Sequence, residues 1–138
     1  MSIHLSPGVA AMFAVALVLA GGCLDDGQAE VVRTIAPLEA SALIEERQGD
    51  PGFVIIDLRR ADELASGQVP GAINIDSAHF GEHLDTLDRE GTYLIYCQRG
   101  GRSAGIREMM RGAGFNEIYE IEGGLSAWKA AGLPVTGI

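Results

Sequence analysis

Tyr93-Leu94-Ile95-Tyr96-Cys97-Gln98-Arg99-Gly100-Gly101-Arg102-Ser103 decides how this chain is read. The first four residues form a short apolar run of the kind that a buried strand uses. The glycine pair marks a tight loop. A helix-like stretch, residues 104–111, follows. Cys97 therefore falls at the end of a strand and at the start of a helix. Glycines allow successive N–H groups to curl inward as an anion nest. The helix N-terminus adds positive potential on the same side. A thiol there ionises readily, because the thiolate is the stabilised form. The glycines, two arginines and serine around it predict a solvent-facing sulfur in a nucleophile cradle and argue against a buried structural cysteine.

The same alternation continues in both directions. Residues 31–35 are rich in β-branched side chains and read as a strand. Pro37 suits the first turn of a helix to about residue 47. Phe53-Val54-Ile55-Ile56-Asp57-Leu58 follows Pro51-Gly52 and reads as a buried strand. Residues 61–66 read as a short helix, Ala72-Ile73-Asn74-Ile75 as a strand after Pro70-Gly71, and residues 80–87 as helical. The later helix is expected over 103–111, the last strand over 118–121 and the last helix over 125–131. Alternation of this kind predicts an α/β fold: a mostly parallel five-stranded sheet with helices on both faces. Ligands of such sheets sit beyond the strands' carboxyl ends, where Cys97 falls.

The chain has 138 residues, enough for one domain, here residues 31–138. Its net charge of −9 argues against general nucleic-acid binding. Yet Arg99, Arg102, Arg107 and Arg111 share a short window whose only acid is Glu108. A local cationic patch beside a nucleophile suggests a small anionic substrate. Arg107 and Arg111 read as a solvated helix face, whereas Arg99 and Arg102 belong to the loop. The two cysteines, Cys23 and Cys97, form neither a CxxC nor a disulfide framework. His79 and His83 stand one helical turn apart, but without a third ligand they read as a solvated face. Leu125 and Trp128 read as core contacts. With no phosphate loop or dinucleotide fingerprint, neither a cofactor nor a metal is expected.

Residues 1–22 contain no Asp, Glu, Lys or Arg, and residues 9–20 are almost purely apolar. That length fits the apolar region of a signal peptide better than a membrane span. Leu19-Ala20-Gly21-Gly22-Cys23 resembles the lipobox of bacterial lipoproteins, although Ala20 stands where Leu is commoner. The resemblance implies a lipid on Cys23, a tether over residues 23–30, and a domain anchored at the periplasmic side of the cell envelope. Cleavage after Ala20 or Ala29 would instead leave a soluble periplasmic or secreted protein.

Three further segments carry a family resemblance. The first is Ile56-Asp57-Leu58-Arg59, Glu63 and Gly67-Gln68-Val69-Pro70-Gly71-Ala72-Ile73-Asn74-Ile75. The second is Tyr96-Cys97 with the loop to Ser103. The third is Gly114-Phe115, Glu122-Gly123-Gly124-Leu125, Ala127-Trp128 and Gly132-Leu133-Pro134-Val135. Over residues 31–138 the chain resembles a single-domain rhodanese, departing at Gln68, where the family usually has His. The resemblance implies a sulfurtransferase that carries a persulfide on Cys97, takes sulfur from a donor such as thiosulfate and passes it to cyanide or a thiol. The loop residues Gln98, Arg99, Gly100, Gly101, Arg102 and Ser103 would bind the anions, with Arg99 and Arg102 on the donor's sulfonate. Ser103 would bond the loop or cap the helix. Asp57 would brace the loop, and Arg59 would pair with a carboxylate such as Glu63; a purely structural ion pair is the plainer reading of both. Gly123-Gly124 would turn beside the loop.

Two rival functions remain at this point. A Cdc25-like phosphatase or an arsenate reductase needs C-x5-R, and here the sixth residue after Cys97 is Ser103. The other rival is a partner-dependent sulfur carrier or binding module without thiosulfate turnover, which cyanide-dependent turnover would distinguish.

Overall fold

The structure is a computed structural model that describes residues 29–137. Strands β1 (Val31–Ile35), β2 (Phe53–Asp57), β3 (Ile73–Asn74), β4 (Thr92–Tyr96) and β5 (Glu117–Ile121) form one sheet among the described residues. Their order is β1-β5-β4-β2-β3, and every pairing is parallel. Helices α1 (Pro37–Glu46) and α4 (Gly124–Ala130) cover one face, and α2 (Phe80–His83) and α3 (Gly101–Gly112) cover the other. The α/β architecture read from the sequence is therefore the observed one.

The central strand shows why the fold closes. All five residues of β4 are buried, as expected of a parallel strand covered on both faces. Tyr93 and Ile95 point with Cys97 into a core shared with Ile106, Met110 and Phe115. Leu94 and Tyr96 point the other way, toward Leu125 and Trp128, which are core contacts as expected. The period of two thus serves two cores at once.

Several boundaries differ from the sequence reading. The third strand is only two residues long. The Asn74 side chain donates to the Asp57 and Arg59 carbonyls at 2.9 and 2.8 Å and ties this edge to the loop after β2. Residues 61–66 form a 3-10 helix, Ala61–Ser66. The helical stretch expected over 80–87 breaks into α2 and a 3-10 turn, Leu84–Thr86, where the Thr86 hydroxyl donates to the His83 carbonyl. Helix α3 starts at Gly101, two residues early, because Gly100 takes a left-handed φ of 102° and turns the chain into it.

The signal segment, Cys23 and most of the tether lie outside the described residues. No described helix is long and apolar enough to cross a membrane.

Candidate active site

Cys97 sits where β4 ends, at the mouth of a loop that curls back over it. Gly100 N–H reaches Sγ at 3.2 Å and Ser103 N–H at 3.4 Å. The Arg99 N–H also bears on the sulfur. These are the nest donors; of the loop amides expected between Gln98 and Ser103, they are the ones directed at sulfur. One expectation fails. Cys97 is 1% exposed, not solvent-facing. The curl of the loop that aims the N–H groups also wraps the sulfur, and Ile106 and Phe115 share the core beneath it.

Burial pushes the Cys97 thiol up. Hydrogen bonding within the loop, at Ser103 and from the Arg99 and Gly100 N–H groups, outweighs it and holds the thiol below its ordinary range. Ser103 is the third residue of α3 and does not cap it. Its hydroxyl lies 3.5 Å from Sγ, 3.2 Å from the Gly100 carbonyl and 2.6 Å from Oε1 of Glu120.

A second layer fixes the loop from below. Asp57 and Arg59 are fully buried and pair at 2.8 Å. Asp57 also accepts from the Tyr96 hydroxyl at 2.7 Å. The Arg59 guanidinium donates to Gly67 O, Glu63 O, Ser66 Oγ and, at 3.2 Å, Gln98 Oε1. Gln98 in turn donates to Ser126 Oγ on α4. Burial works against the Arg59 charge, but bonding to Asp57 prevails and raises its pKa. The pair reaches the Cys97 loop through Gln98. The expected Arg59–Glu63 ion pair is not formed: Asp57 occupies Arg59, and only the Glu63 backbone carbonyl touches it.

The Glu63 carboxylate instead takes Arg102 in a two-pronged pair at 2.7 and 2.9 Å. Bonding to Arg102 holds the Glu63 carboxyl down to about 2. The Arg102 guanidinium also lies against Cys97, which adds to its positive stabilisation. Arg99 projects exposed from the loop.

Glycine makes the remaining contact possible. Gly123 and Gly124 both have left-handed φ, 71° and 61°. A Cβ on Gly124 would fall 2.4 Å from the Cys97 carbonyl oxygen. The close approach lets Leu125 N–H and Ser126 N–H bind the Cys97 and Gln98 carbonyls at 2.9 and 3.0 Å. The turn expected beside the loop is thus its clamp.

Sequence reasoning missed Glu120, buried at 3% exposure on β5. Its Oε2 pairs with Arg107 and accepts from Thr34 at 3.3 Å. Arg107 is therefore not simply a solvated face residue, whereas Arg111 is half exposed and pairs with Glu108 and Glu30. The available signal was the covered sheet: an acid between apolar residues of a strand buried on both faces has to meet a partner. His79 rests against Glu82 on an exposed turn.

Residues 39–131 match the family model described as Rhodanese-like domain. YtwF of Bacillus subtilis is 31% identical over 100 residues, 72% of this chain and 96% of that protein. The thiosulfate sulfurtransferase GlpE of Coxiella burnetii is 31% identical over 98 residues, 71% of this chain and 88% of that protein. A crystal structure of a rhodanese-related protein from Thermoplasma volcanium is 29% identical, covers 77% of this chain and 99% of its own, and superposes with a TM-score of 0.67. Sequence match, fold and a cysteine nest at the end of β4 agree: the chain belongs to the rhodanese-like domain family.

Proposed function

We propose that this protein is a sulfurtransferase that carries sulfane sulfur on Cys97, with thiosulfate or a similar small anion as donor. The observation that carries the reading is the Cys97 nest: backbone donors aimed at the sulfur of a single cysteine whose ionised form they favour. The Cys97 thiolate attacks the outer sulfur of thiosulfate. The S–S bond of the donor breaks, its electron pair leaves with sulfite, and a persulfide anion remains. Cyanide or a thiolate then attacks that outer sulfur, and the Cys97 thiolate departs with the bonding pair. The two displacements are covalent catalysis in two easier steps. The N–H groups of Arg99, Gly100 and Ser103 stabilise the anion at each stage. Arg102 beside the sulfur and exposed Arg99 supply charge for the sulfonate end of the donor. The names of relatives such as GlpE support the same reaction class.

A phosphatase or arsenate reductase is less well supported, because Ser103 stands where those chemistries place Arg, and its N–H turns to Cys97 Sγ. A partner-dependent carrier uses the same persulfide and differs only in its acceptor. We also propose that residues 1–22 direct export and that Cys23 receives a lipid at the periplasmic side of the envelope, as the lipobox-like segment suggests. Release of the chain from cell membranes by Cys23→Ser would support this anchor, and unchanged partitioning would remove it.

Intact mass of the full chain, after thiosulfate and again after cyanide, tests the main reading. The expected result is a gain of one sulfur atom that cyanide removes, absent in Cys97→Ser although that variant keeps its melting temperature. Turnover surviving in Cys97→Ser would overturn the assignment.

A further inference from the structure

Two carboxylates are buried among the described residues, Asp57 and Glu120. Asp57 is accounted for by the loop brace. Glu120 is not, yet its Oε1 lies one hydroxyl away from Cys97. The intervening atom is Ser103 Oγ, 2.6 Å from Glu120 and 3.5 Å from Cys97 Sγ.

A serine hydroxyl has one proton and two lone pairs. Around Ser103 Oγ stand three groups that accept: the Glu120 carboxylate, the Gly100 carbonyl and, once ionised, the Cys97 sulfur. One proton cannot serve all three. The shortest contact, to Glu120, has the length of a charge-assisted O–H···O⁻ bond. Arg107 faces Glu120 from α3 and forms an ion pair with it, and the neutral Thr34 hydroxyl adds a bond from β1. The proton therefore stays with Glu120. Ser103 then turns a lone pair to Cys97: it accepts from the thiol and gives nothing to the thiolate.

We propose that Glu120 is a positioning residue for Cys97, holding the single hydroxyl proton of Ser103 so that the hydroxyl adds no donor to the backbone N–H groups that support the sulfur anion. The gain is reactivity. A thiolate whose basicity is lowered further becomes a poorer nucleophile as well as a more abundant one. Sparing it one donor keeps the anion reactive. The other charge facing the sulfur is Arg102 from α3, neutralised by Glu63 of the 3-10 helix, and the Asp57–Arg59 pair reaches the loop only through Gln98.

The benefit to turnover rests on the sulfur-transfer reading, but the hydrogen-bond arrangement does not, and the test separates them. In the full chain, the rate at which iodoacetamide alkylates Cys97 is followed against pH on the tryptic peptide 90–99. Glu120→Gln replaces the charged acceptor with a weaker neutral amide, so its midpoint should move to lower pH by about one unit, a tenfold change in thiolate fraction below the midpoint. Its limiting rate at high pH should fall. Ser103→Ala should leave the midpoint nearly where it is, because the hydroxyl gives the wild-type thiolate no proton. In Glu120→Gln/Ser103→Ala, the Glu120→Gln shift should shrink to less than half.

Three results would overturn the proposal: an unmoved or raised midpoint in Glu120→Gln, an equal shift in the Ser103→Ala background (a through-space field only), or a raised midpoint in Ser103→Ala alone. If Glu120→Gln fails to fold, Ser103→Ala decides by itself. Wild-type protein that gains no sulfur from thiosulfate would count against the donor, while the alkylation profiles would still answer for Glu120.

Discussion

Arg102 lies against the reactive sulfur but gives both prongs of its guanidinium to Glu63. That pair fixes the half-buried cation beside the loop. Arg102→Gln should raise the KM for thiosulfate about tenfold, the loss of one charge-assisted contact, and leave the cyanide step unchanged. Equal losses in both steps would remove the donor-binding role. The loop that holds Cys97 and this cation could be picked out in the sequence, because a cysteine followed by glycines and arginines is a local pattern. The burial of Cys97 and its link to Glu120 could not. Both depend on α3 closing over β5, which joins Ser103 and Arg107 to a residue 17 and 13 positions away.

The strand–loop–helix unit that holds Cys97 is locked by another element. The first N–H groups after the Gly123-Gly124 turn bind the loop carbonyls, so α4 docks onto the Cys97 loop itself. Gly124→Ala would meet both a left-handed φ and backbone atoms within 3 Å. It should cost about 1–3 kcal/mol of stability and lower sulfur loading more than the stability loss explains. Normal loading with normal stability would show that the clamp can yield. Most elements could be read from apolar runs and glycine or proline punctuation. The boundaries that slipped, at β3, α2 and the start of α3, are set by single side-chain bonds or one backbone angle, which periodicity does not carry.

The two cores meet along β2 and β4, and Asp57 and Arg59 are sealed at the carboxyl end of that seam. Asp57→Asn would leave Arg59 buried without its counter-charge and should destabilise the protein by about 3–5 kcal/mol, measured as the urea midpoint of Trp128 fluorescence. A loss below about 1 kcal/mol would mean that the carbonyls around Arg59 suffice. The Glu63–Arg102 pair acts differently. The folded Glu63 carboxyl is depressed to about 2, below the ordinary value near 4.3. Its stabilising contribution is therefore full above about pH 4.3 and disappears as pH falls through about 2. Glu63→Gln should flatten acid unfolding between those limits, and an unchanged acid limb would show that other carboxylates govern it. Alternation of strands and helices gave away the parallel sheet in advance, since few other arrangements bury so many short apolar strands.

The near-complete enclosure of Cys97 has a consequence for selectivity. A sulfur 1% exposed beneath its own loop meets reagents by their width before their charge. A narrow reagent that leads with one terminal atom can enter end-on, whereas a broad disulfide or a folded protein's thiol must wait for the loop to part. With Cys97 as the proposed sulfur carrier, the fold would act as a sieve on the reagents that reach it and guard the sulfur from adventitious disulfide exchange.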